Sequence, residues 1–455
     1  MATAINDTHD KSLRSWVESA NEPDTDFPIQ NLPYGVFHHE DEDEDNARVG
    51  VAIGDRILDL SVLAENGLLD DVDTDEDEDI EEDVSAAMLN LLMCSEPARW
   101  SALRRRISEL LREDNDELSG QPGIVEEALI PMSEAVMCMP VEAGDYTDFY
   151  ASIHHATNVG SMFRPDNPLL PNYKWVPIGY HGRSSTLVVS GAPVRRPCGQ
   201  TKGDEDGAPS YGPCKLLDYE MEVGCFVGRG NETGETITID EAEDHLFGLC
   251  LVNDWSARDM QKWEYQPLGP FLAKSFLTSV SPWVVTMEAL APFRIPAFTR
   301  DDNDPKPLDY LTCSEDREFG GVDLVVEVSL LTEKMRDEGM EPMKLSEGNF
   351  KEMYWTLAQM LTHHASNGCA MEPGDLFASG TVSGPEKSNR GCLLELTWRG
   401  SEPIECPTGE SRKFLQDGDE VILRGRCEKD GYRRIGFGSC TGLVIPAKTL
   451  KMAHS

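Results

Sequence analysis

The sequence predicts a mainly β (α+β) protein of two domains, a small N-terminal domain over residues 1–139 and a larger β-rich domain over residues 140–455. Two observations favour this division. The N-terminal third combines one β-hairpin pattern with helical repeats, and the remainder contains many short apolar runs separated by Gly, Pro and Asp turns. A length of 455 residues is enough for two or three domains.

The N-terminal domain opens with a predicted hairpin. Apolar residues alternate over 49–53, Gly54-Asp55 supplies a two-residue turn, and a second apolar run returns over 57–60. A helix is predicted from Ser95, with Pro97 in its first turn and apolar residues at helical spacing after it.

Beyond residue 139 the pattern predicts two helices among many strands. One helix is expected to open at Ser256 with Asp259 three residues on, and the other at Asn349 with Glu352, closing at Gly368. The predicted strands cover residues 216–227, 246–253, 322–331, 393–398 and 420–427.

The charge balance excludes some partners. With 40 Lys and Arg against 82 Asp and Glu, the formal charge is −42, which disfavours binding to nucleic acid or to an anionic membrane. Acids are dense over residues 40–45 and 70–83 but also spread through the chain, so we interpret the surface as adapted to a salt-rich cytoplasm. The 70–83 stretch lacks the central glycine of a calcium loop and is predicted to be a solvated insertion.

Targeting and cofactor motifs are missing from the sequence. The first twenty residues contain no apolar core and no run approaches about 18 apolar residues, which favours a cytoplasmic protein. The 12 cysteines form no C-x-x-C pair, and the usual serine-hydrolase, phosphate-loop and zinc-protease motifs do not occur.

Carboxylates are the strongest chemical signal. Asp218, Glu220 and Glu222 alternate with apolar residues and fall on one face of a predicted strand, either as a solvated face or as oxygen ligands. Asp254 ends an apolar run, where it either lines a site or caps the next helix. Asp148 and His155 lie in a polar, aromatic segment, although a lone histidine is more often structural. Oxygen ligands alone suit a hard cation such as Ca²⁺ or Mg²⁺.

Long motifs of specific composition run through the chain: Phe27-Pro-Ile-Gln-Asn-Leu-Pro-Tyr-Gly-Val-Phe37, Asp145-Tyr-Thr-Asp-Phe-Tyr150, His155-Ala-Thr-Asn-Val-Gly160, Gly179-Tyr-His-Gly-Arg183, Asn253-Asp-Trp-Ser-Ala-Arg-Asp259, Gln261-Lys-Trp-Glu-Tyr-Gln-Pro-Leu-Gly-Pro-Phe271, Thr362-His-His-Ala-Ser-Asn-Gly368, Ala378-Ser-Gly-Thr381 and Asp430-Gly-Tyr432. Through these motifs the sequence, between about Phe27 and Pro446, closely resembles the fumarylacetoacetate hydrolase family. The resemblance implies an SH3-like N-terminal barrel, a C-terminal mixed β-roll and a homodimer. It also implies hydrolysis of the carbon–carbon bond of 4-fumarylacetoacetate to fumarate and acetoacetate, the last step of tyrosine and phenylalanine catabolism.

The resemblance also implies roles for individual residues. A calcium site would be formed by Asp148, Glu220, Glu222 and Asp254, and a magnesium site by Asp254, Lys274 and Thr278. His155 would be the general base, oriented by Glu395, and Arg164, Gln261 and Lys274 would stabilise the oxyanion and the leaving group. Contacts with the diketo-acid substrate would come from Tyr150, Arg164, Gln261, Tyr265 and Thr381. His363 and His364, on the second predicted helix, are interpreted as structural.

Two alternatives stay open. The first is a hydrolase of the same superfamily that acts on acylpyruvates or related diketo acids, since smaller relatives share the Glu-x-Glu and Asp pattern. The second is a non-catalytic acidic calcium-binding protein, which the acidic runs would also fit.

Overall fold

The computed structural model describes residues 4–72, 80–203, 205 and 207–448. The chain is mainly β, as predicted, and three sheets have five or more strands each: two five-stranded sheets and one eight-stranded sheet. Within the described ranges, no helix has the length and apolar character needed to cross a membrane.

The N-terminal third contains a five-stranded antiparallel sheet in the order β4-β3-β2-β1-β5. The predicted hairpin is confirmed, because Ile53 pairs with Arg56 across a turn in which Gly54 has a φ of +59°. Its strands are β1 Tyr34–His39, β2 Arg48–Ile53, β3 Arg56–Asp59, β4 Leu129–Pro131 and β5 Ala135–Met137.

Helices surround this sheet, and the longest has Pro97 in its first turn, as predicted. They are α1 Leu60–Glu65, α2 Ile80–Ser85, α3 Asn90–Cys94, α4 Pro97–Leu111 and α5 Pro122–Ala128. The prediction of a fully solvated insertion over 70–83 is wrong at both ends, since Val72 and Ile80 are buried and Asp83 forms an ion pair with Arg99. Residues 73–79 of that stretch lie outside the described part of the chain.

The remainder of the chain builds an eight-stranded mixed sheet and a second, five-stranded sheet. The first has the order β7-β6-β22-β13-β14-β16-β8 with β17 also on β14, and the second the order β21-β20-β25-β26-β9. The strands are β6 Tyr146–Phe149, β7 Gly179–His181, β8 Leu187–Val189, β9 Val194–Arg195, β10 Cys198–Thr201, β11 Ser210–Pro213, β12 Leu217–Asp218, β13 Met221–Val227, β14 Leu246–Asp254, β15 Ser256–Ala257, β16 Thr278–Val280, β17 Val285–Thr286, β18 Arg294–Ile295, β19 Gly321–Val322, β20 Val325–Leu331, β21 Met343–Asn349, β22 Leu376–Ala378, β23 Ile404–Glu405, β24 Ser411–Arg412, β25 Glu420–Cys427 and β26 Ile435–Ile445.

Helices in this part differ from the prediction. The structure contains α6 Ile153–Phe163, α7 Arg258–Glu264, α8 Ser314–Phe319, α9 Glu333–Asp337, α10 Leu357–Ala365 and α11 Leu393–Leu396. The expected opening at Ser256 is wrong because that residue belongs to β15, and α7 follows it. Asn349 caps only a short 3₁₀ turn, and the capping box that starts α10 is formed by Thr356 and Gln359.

Three predicted strands also need correction. Residues 393–398 were expected to be extended but begin with α11, because their N–H groups are capped by Asp218 instead of pairing with a neighbouring strand. The 216–227 run is interrupted between β12 and β13 at Tyr219 and Glu220, and the 322–331 run between β19 and β20.

The apolar core of the N-terminal sheet continues onto one face of the large C-terminal sheet. Phe226 and Phe247, from β13 and β14, belong to the same buried cluster as Leu103 and Ile107 of α4. Trp100 of α4 stacks edge-on against Phe247 with ring centroids 5.1 Å apart. The other face of the large sheet packs against the second C-terminal sheet, in a cluster that includes Leu251 and Phe437.

A buried arginine attaches the N-terminal segment to this core. Arg104 of α4 donates from Nη1 to the Asn31 carbonyl oxygen at 2.5 Å, from Nη2 to the Gln30 carbonyl oxygen at 2.6 Å, and from Nε to Thr8 Oγ1 at 3.2 Å. The side chain is 2 % exposed. Since buried carbonyl groups need a donor, Arg104 is a structural requirement of this segment.

Replacing Arg104 should therefore destabilise the protein strongly. We expect Arg104→Ala to lower the free energy of unfolding by about 3 kcal/mol, because it leaves buried acceptors unpaired. Urea denaturation followed by circular dichroism measures the change. Arg105→Ala, at an exposed position on the same helix, is the control and should stay within about 0.5 kcal/mol of the parent. Equal losses in both variants would contradict this role for Arg104.

Candidate active site

Sheet topology brings the predicted acidic residues to one edge of the large sheet. β6 and β22 run parallel, so Asp148 and Ala378 lie together at their carboxyl ends. β13 runs antiparallel to both β22 and β14, so its first residues lie beside the end of β14. Glu222 pairs with Val252, two residues before Asp254. Three distant sequence segments thus deliver carboxylates to one place.

Four carboxylates form a compact cluster at this edge. Asp148, Glu220, Glu222 and Asp254 each offer an oxygen, these four oxygens all lie within 4.8 Å of one another, and all four residues are buried. Asp148 Oδ1 and Glu222 Oε1 are buried and have no hydrogen-bond partner among the described residues. Buried carboxylate oxygens without a donor are expected where a cation supplies the missing contact.

Burial and neighbouring acids raise the pKa of two members of the cluster, Asp148 and Glu222. Burial raises the pKa of Asp148 well above its ordinary range, and the charge of Asp254 raises it further. Burial and the charge of Asp148 raise the pKa of Glu222 in the same way. The ionised cluster is therefore incomplete without more positive charge than the protein itself supplies.

Two basic residues supply part of that charge. Lys274 Nζ forms ion pairs with Asp254 and with Glu220 Oε2, the latter at 2.9 Å, and Arg258 Nη1 forms an ion pair with Glu220 Oε1. Burial would raise the pKa of Glu220, but Arg258 and Lys274 together lower it well below its usual range. Thr278 Oγ1 donates to Asp254 Oδ1 at 2.9 Å, so the three residues of the expected magnesium site are in contact.

The donor set fits a hard divalent cation. All four candidate ligands are carboxylates, which suit Ca²⁺ or Mg²⁺ better than zinc or copper. The Lys274 ammonium is held protonated by Asp254 and Glu220, against the effect of burial, which lowers its pKa. It has no lone pair to give, so any ligand from this residue would be its carbonyl oxygen.

A histidine–carboxylate pair lies close to the cluster. His155 occupies the first turn of α6, whose N-cap residue Ser152 accepts a hydrogen bond from the His155 N–H. His155 Nδ1 is 2.6 Å from Glu395 Oε2, and both side chains are buried. Asn158, one turn later on α6, donates to Glu395 Oε1 at 2.8 Å. The contact at Nδ1 leaves Nε2 as the ring nitrogen available to a substrate or water.

Hydrogen bonds keep Glu395 ionised. Burial would raise its pKa, but the charge and hydrogen bond of His155, with further hydrogen bonds from Asn158 and Cys392, lower it to about 2. Ser383 Oγ also donates to Glu395 Oε2, at 2.8 Å. An ionised carboxylate at Nδ1 stabilises the imidazolium that forms when Nε2 takes a proton.

Three of the five predicted substrate residues lie near His155 or the acidic cluster. The Tyr150 ring lies edge-on to His155 with centroids 5.1 Å apart, and Gln261 Oε1 accepts from Arg258 Nη1 at 3.1 Å. Thr381 Oγ1 is buried without a hydrogen-bond partner in the described structure, one residue after the Gly380 N–H that donates to Glu222.

Two predicted substrate residues are not joined to the site. Arg164 directly follows α6 and donates to the Pro168 carbonyl oxygen, and Tyr265 directly follows α7 with 49 % of its surface exposed. Across the described ranges, no hydrogen bond or ion pair connects either side chain to the acids or to His155.

Sequence reasoning missed several residues of the site. Arg258, Asn158 and Tyr180 were not singled out, although Tyr180 donates to Asp254 Oδ2 at 3.2 Å. Each lies inside a motif used for the family resemblance, and that was the available signal. The solvated face expected for Asp218 is wrong, because its carboxylate is fully buried and paired with Arg258.

A cavity of about 210 Å³ reaches the cluster from outside, and Tyr180, Asp254, Phe271, Lys274 and Ser275 are among the residues that line it. The cavity gives the buried acids an opening toward solvent.

Comparison with known proteins identifies the family. Residues 146–444 match the family described as fumarylacetoacetate (FAA) hydrolase C-terminal, and residues 30–140 match the one described as fumarylacetoacetase N-terminal. The chain belongs to the fumarylacetoacetate hydrolase family. Among its relatives in this family, fumarylacetoacetases from Bos taurus and Homo sapiens are each 50% identical over 426 residues, which covers 93% of this chain and 97% of theirs. The fumarylacetoacetase of Dictyostelium discoideum is 49% identical over 440 residues, covering 96% and 98%.

Removing one carboxylate of the cluster should reduce the thermal stabilisation of the protein by divalent cations. We expect Ca²⁺ or Mg²⁺ at about 100 times its Kd to raise the unfolding midpoint of the parent protein by about 3 °C, and Glu222→Gln to lose most of this rise. Thermal unfolding in molar KCl, first with chelator and then with each cation, measures the rise in unfolding midpoint. The high salt screens non-specific cation binding. Glu232→Gln, at an exposed acid, is the control. An undiminished rise in Glu222→Gln would argue against the site.

The Glu395 carboxylate should stabilise the fold in a pH-dependent way. Its folded-state pKa of about 2 lies below the ordinary value of 4.5, so the stabilisation is present above about pH 4.5 and is lost as the pH falls toward 2. We expect Glu395→Gln to cost about 3 kcal/mol of unfolding free energy at pH 6, and less at each step below pH 4.5.

Denaturant titrations of the parent and of Glu395→Gln between pH 3 and pH 7 test this expectation. Glu318→Gln, at an exposed acid of α8, controls for the loss of one negative charge. A difference between parent and Glu395→Gln that stays constant over the whole pH range would show that the carboxylate is not stabilised as described.

Proposed function

We propose that the protein hydrolyses the carbon–carbon bond of 4-fumarylacetoacetate to fumarate and acetoacetate, as the last step of tyrosine and phenylalanine catabolism. The observation that carries the proposal is the buried His155–Glu395 pair beside a four-carboxylate cluster. Relatives named fumarylacetoacetase that match 93% or more of the chain support the choice of substrate.

In the proposed reaction His155 acts as the general base. Nε2 removes a proton from a water molecule, and Glu395 at Nδ1 stabilises the resulting imidazolium. Tyr150, at right angles to the imidazole ring, limits where substrate and water can lie. Ser152, Asn158 and Ser383 hold the pair without direct contact with the substrate.

Basic and amide groups around the cluster stabilise negative charge on the reacting diketone. Lys274, Gln261 and Arg258 lie within a connected network around Glu220, and donors of this kind each contribute about 10²- to 10³-fold in rate. We propose Ca²⁺ at Asp148, Glu220, Glu222 and Asp254, and Mg²⁺ near Asp254, Lys274 and Thr278. A bound divalent cation supplies Lewis-acid polarisation of the diketo oxygens. Arg164, Tyr265 and Thr381 are proposed to contact the substrate once it is bound.

The remaining proposals concern organisation. We propose an SH3-like barrel over residues 1–139, a mixed β-roll catalytic domain over residues 140–455, a homodimer, and a salt-rich cytoplasm as the location. The charge of −42 supports salt adaptation, because molar salt screens the repulsion between surface acids.

Loss of ultraviolet absorbance of the diketo acid tests the activity directly. The purified protein in high salt is given fumarylacetoacetate and acetopyruvate separately, before and after chelation. Faster, chelator-sensitive cleavage of fumarylacetoacetate is the expected result. Preference for acetopyruvate would reassign the protein to acylpyruvate hydrolysis, and cleavage of neither would leave an acidic calcium-binding protein.

Substitution of the general base should remove turnover without removing cation binding. We expect His155→Asn to lower kcat by about 10³-fold, with the cation-induced rise in unfolding midpoint unchanged. His154→Asn is the matched control, since the neighbouring histidine contacts Glu352 and the Phe298 ring, which are not among the site residues, and its kcat should stay within about twofold of the parent. Equal loss in the two variants would refute the assignment of His155.

A further inference from the structure

We propose that Asp218 is a positioning residue that sets the orientation of both Glu395 and Arg258, and so couples the histidine pair to the carboxylate cluster. The inference rests on the proposed function for its kinetic readout. Asp218 lies outside the acidic cluster and is the last residue of β12.

The Asp218 carboxylate is completely buried and is saturated by four donors. Oδ1 accepts from the N–H groups of Leu393 at 2.8 Å and of Tyr219 at 2.9 Å. Oδ2 accepts from the Leu394 N–H and from Arg258 Nε, both at 2.9 Å. These donors belong to three separate parts of the chain, so one side chain fixes their mutual positions.

The first of these connections controls Glu395. α11 is a single turn, and Cys392 at its N-cap position makes no capping hydrogen bond with its side chain. The Asp218 carboxylate, on β12, supplies the missing cap. It accepts hydrogen bonds from the first two N–H groups of the turn. Glu395 is the third residue of the turn, so a shift of α11 moves its carboxylate relative to His155.

The second connection controls Arg258. A guanidinium group is planar, so fixing Nε on Asp218 also fixes the direction of Nη1. Nη1 forms the ion pair with Glu220 and donates to Gln261 Oε1. Arg258 thus forms ion pairs with both Asp218 and Glu220, and Glu220 is a candidate metal ligand. Without the negative charge at Asp218, Arg258 would bind Glu220 more strongly and compete with a cation for that carboxylate.

Asp218→Asn is the first test, because it keeps the size of the side chain. One carboxylate oxygen becomes an amide NH₂ that faces two donors, either the N–H groups of Leu393 and Tyr219 at the Oδ1 position or the Leu394 N–H and Arg258 Nε–H at the Oδ2 position. We expect kcat to fall by about 10²-fold with KM within about threefold, as for a misplaced but intact catalytic group. Calorimetric titration should show a Kd for Ca²⁺ or Mg²⁺ raised by about tenfold.

Asp419→Asn is the matched control. Asp419 is also completely buried, accepts hydrogen bonds from Arg412 Nη2 and Nε, and caps the Gln416 N–H, and its side chain has no hydrogen bond or ion pair with a site residue in the described part of the chain. We expect Asp419→Asn to lose about as much unfolding free energy as Asp218→Asn, with the kcat and cation affinity of the parent protein. If both variants lose kcat alike, or if Asp218→Asn keeps the parent's kcat, the positioning role is wrong.

Two further measurements separate positioning from general damage. At saturating cation, the Asp218→Asn change made in a Glu395→Gln background should cost less than about threefold more in kcat, because the connection through Glu395 is already removed and the connection through Arg258 acts on cation affinity. A full additional 10²-fold loss would show that Asp218 acts independently of Glu395. If Asp218→Asn does not fold, Asp218→Glu keeps the carboxylate but displaces it by one methylene, and should show the same loss of kcat.

The last readout needs no turnover. The His155 Nδ1 proton, hydrogen-bonded to Glu395 at 2.6 Å, should give a low-field proton resonance that Asp218→Asn shifts or abolishes and Asp419→Asn leaves in place. An unmoved resonance in Asp218→Asn would overturn the inference. A parent protein that cleaves neither diketo acid but shows the expected spectral difference would reject the proposed function and retain the positioning role.

Discussion

Burial of four carboxylates at one edge of the large sheet is the constraint on which the site depends. Moving ionised groups out of water costs several kcal/mol each unless positive charge or hydrogen bonds replace the lost hydration. Lys274 and Arg258 satisfy Glu220 and one side of Asp254, while Asp148 and Glu222 each retain a buried oxygen without a donor. A divalent cation fits this imbalance, because it contributes the charge and the contacts that the chain itself leaves out.

The histidine pair and the acidic cluster are parts of one network. His155 and Asn158 reach Glu395 from successive turns of α6, and Asp218 holds the turn that carries Glu395. The same Asp218 carboxylate holds Arg258, which in turn holds Glu220. A buried hydrogen-bonded network restricts the arrangement of its members, since a shift leaves further polar groups unpaired. Such rigidity is what a general base and a polarising centre need in order to act on the same small molecule.

Local patterns in the sequence predicted some elements and not others for physical reasons. The hairpin at Gly54 and the helix after Pro97 depend on turn chemistry and apolar spacing within a few residues, and both were predictable. α11 was not, because Leu393-Leu-Glu-Leu396 reads as an apolar strand and becomes a helical turn only through Asp218, distant in sequence. The acids of the cluster were visible as an alternating pattern, but the break between β12 and β13 at Tyr219 and Glu220 separates Glu220, in the cluster, from Asp218, which faces α11. Arg258 and Tyr180 were not predicted for the same reason, since their places in the site depend on contacts between residues distant in sequence.

The negative surface charge opposes the approach of the proposed substrate, because that substrate is itself an anion. A diketo dicarboxylate carries two negative charges, and a protein of formal charge −42 repels it at long range. In molar salt the Debye length is about 3 Å, so this repulsion is screened until the substrate is close to the surface. Close to the site the local composition matters instead. Residues 167–203 contain five Lys and Arg and no acid, and Tyr180 and Arg183 of this segment line the cavity that leads to Asp254. The segment therefore gives an anion one approach to the cluster that is not itself acidic, and Lys274 and Arg258 continue that positive charge into the buried site.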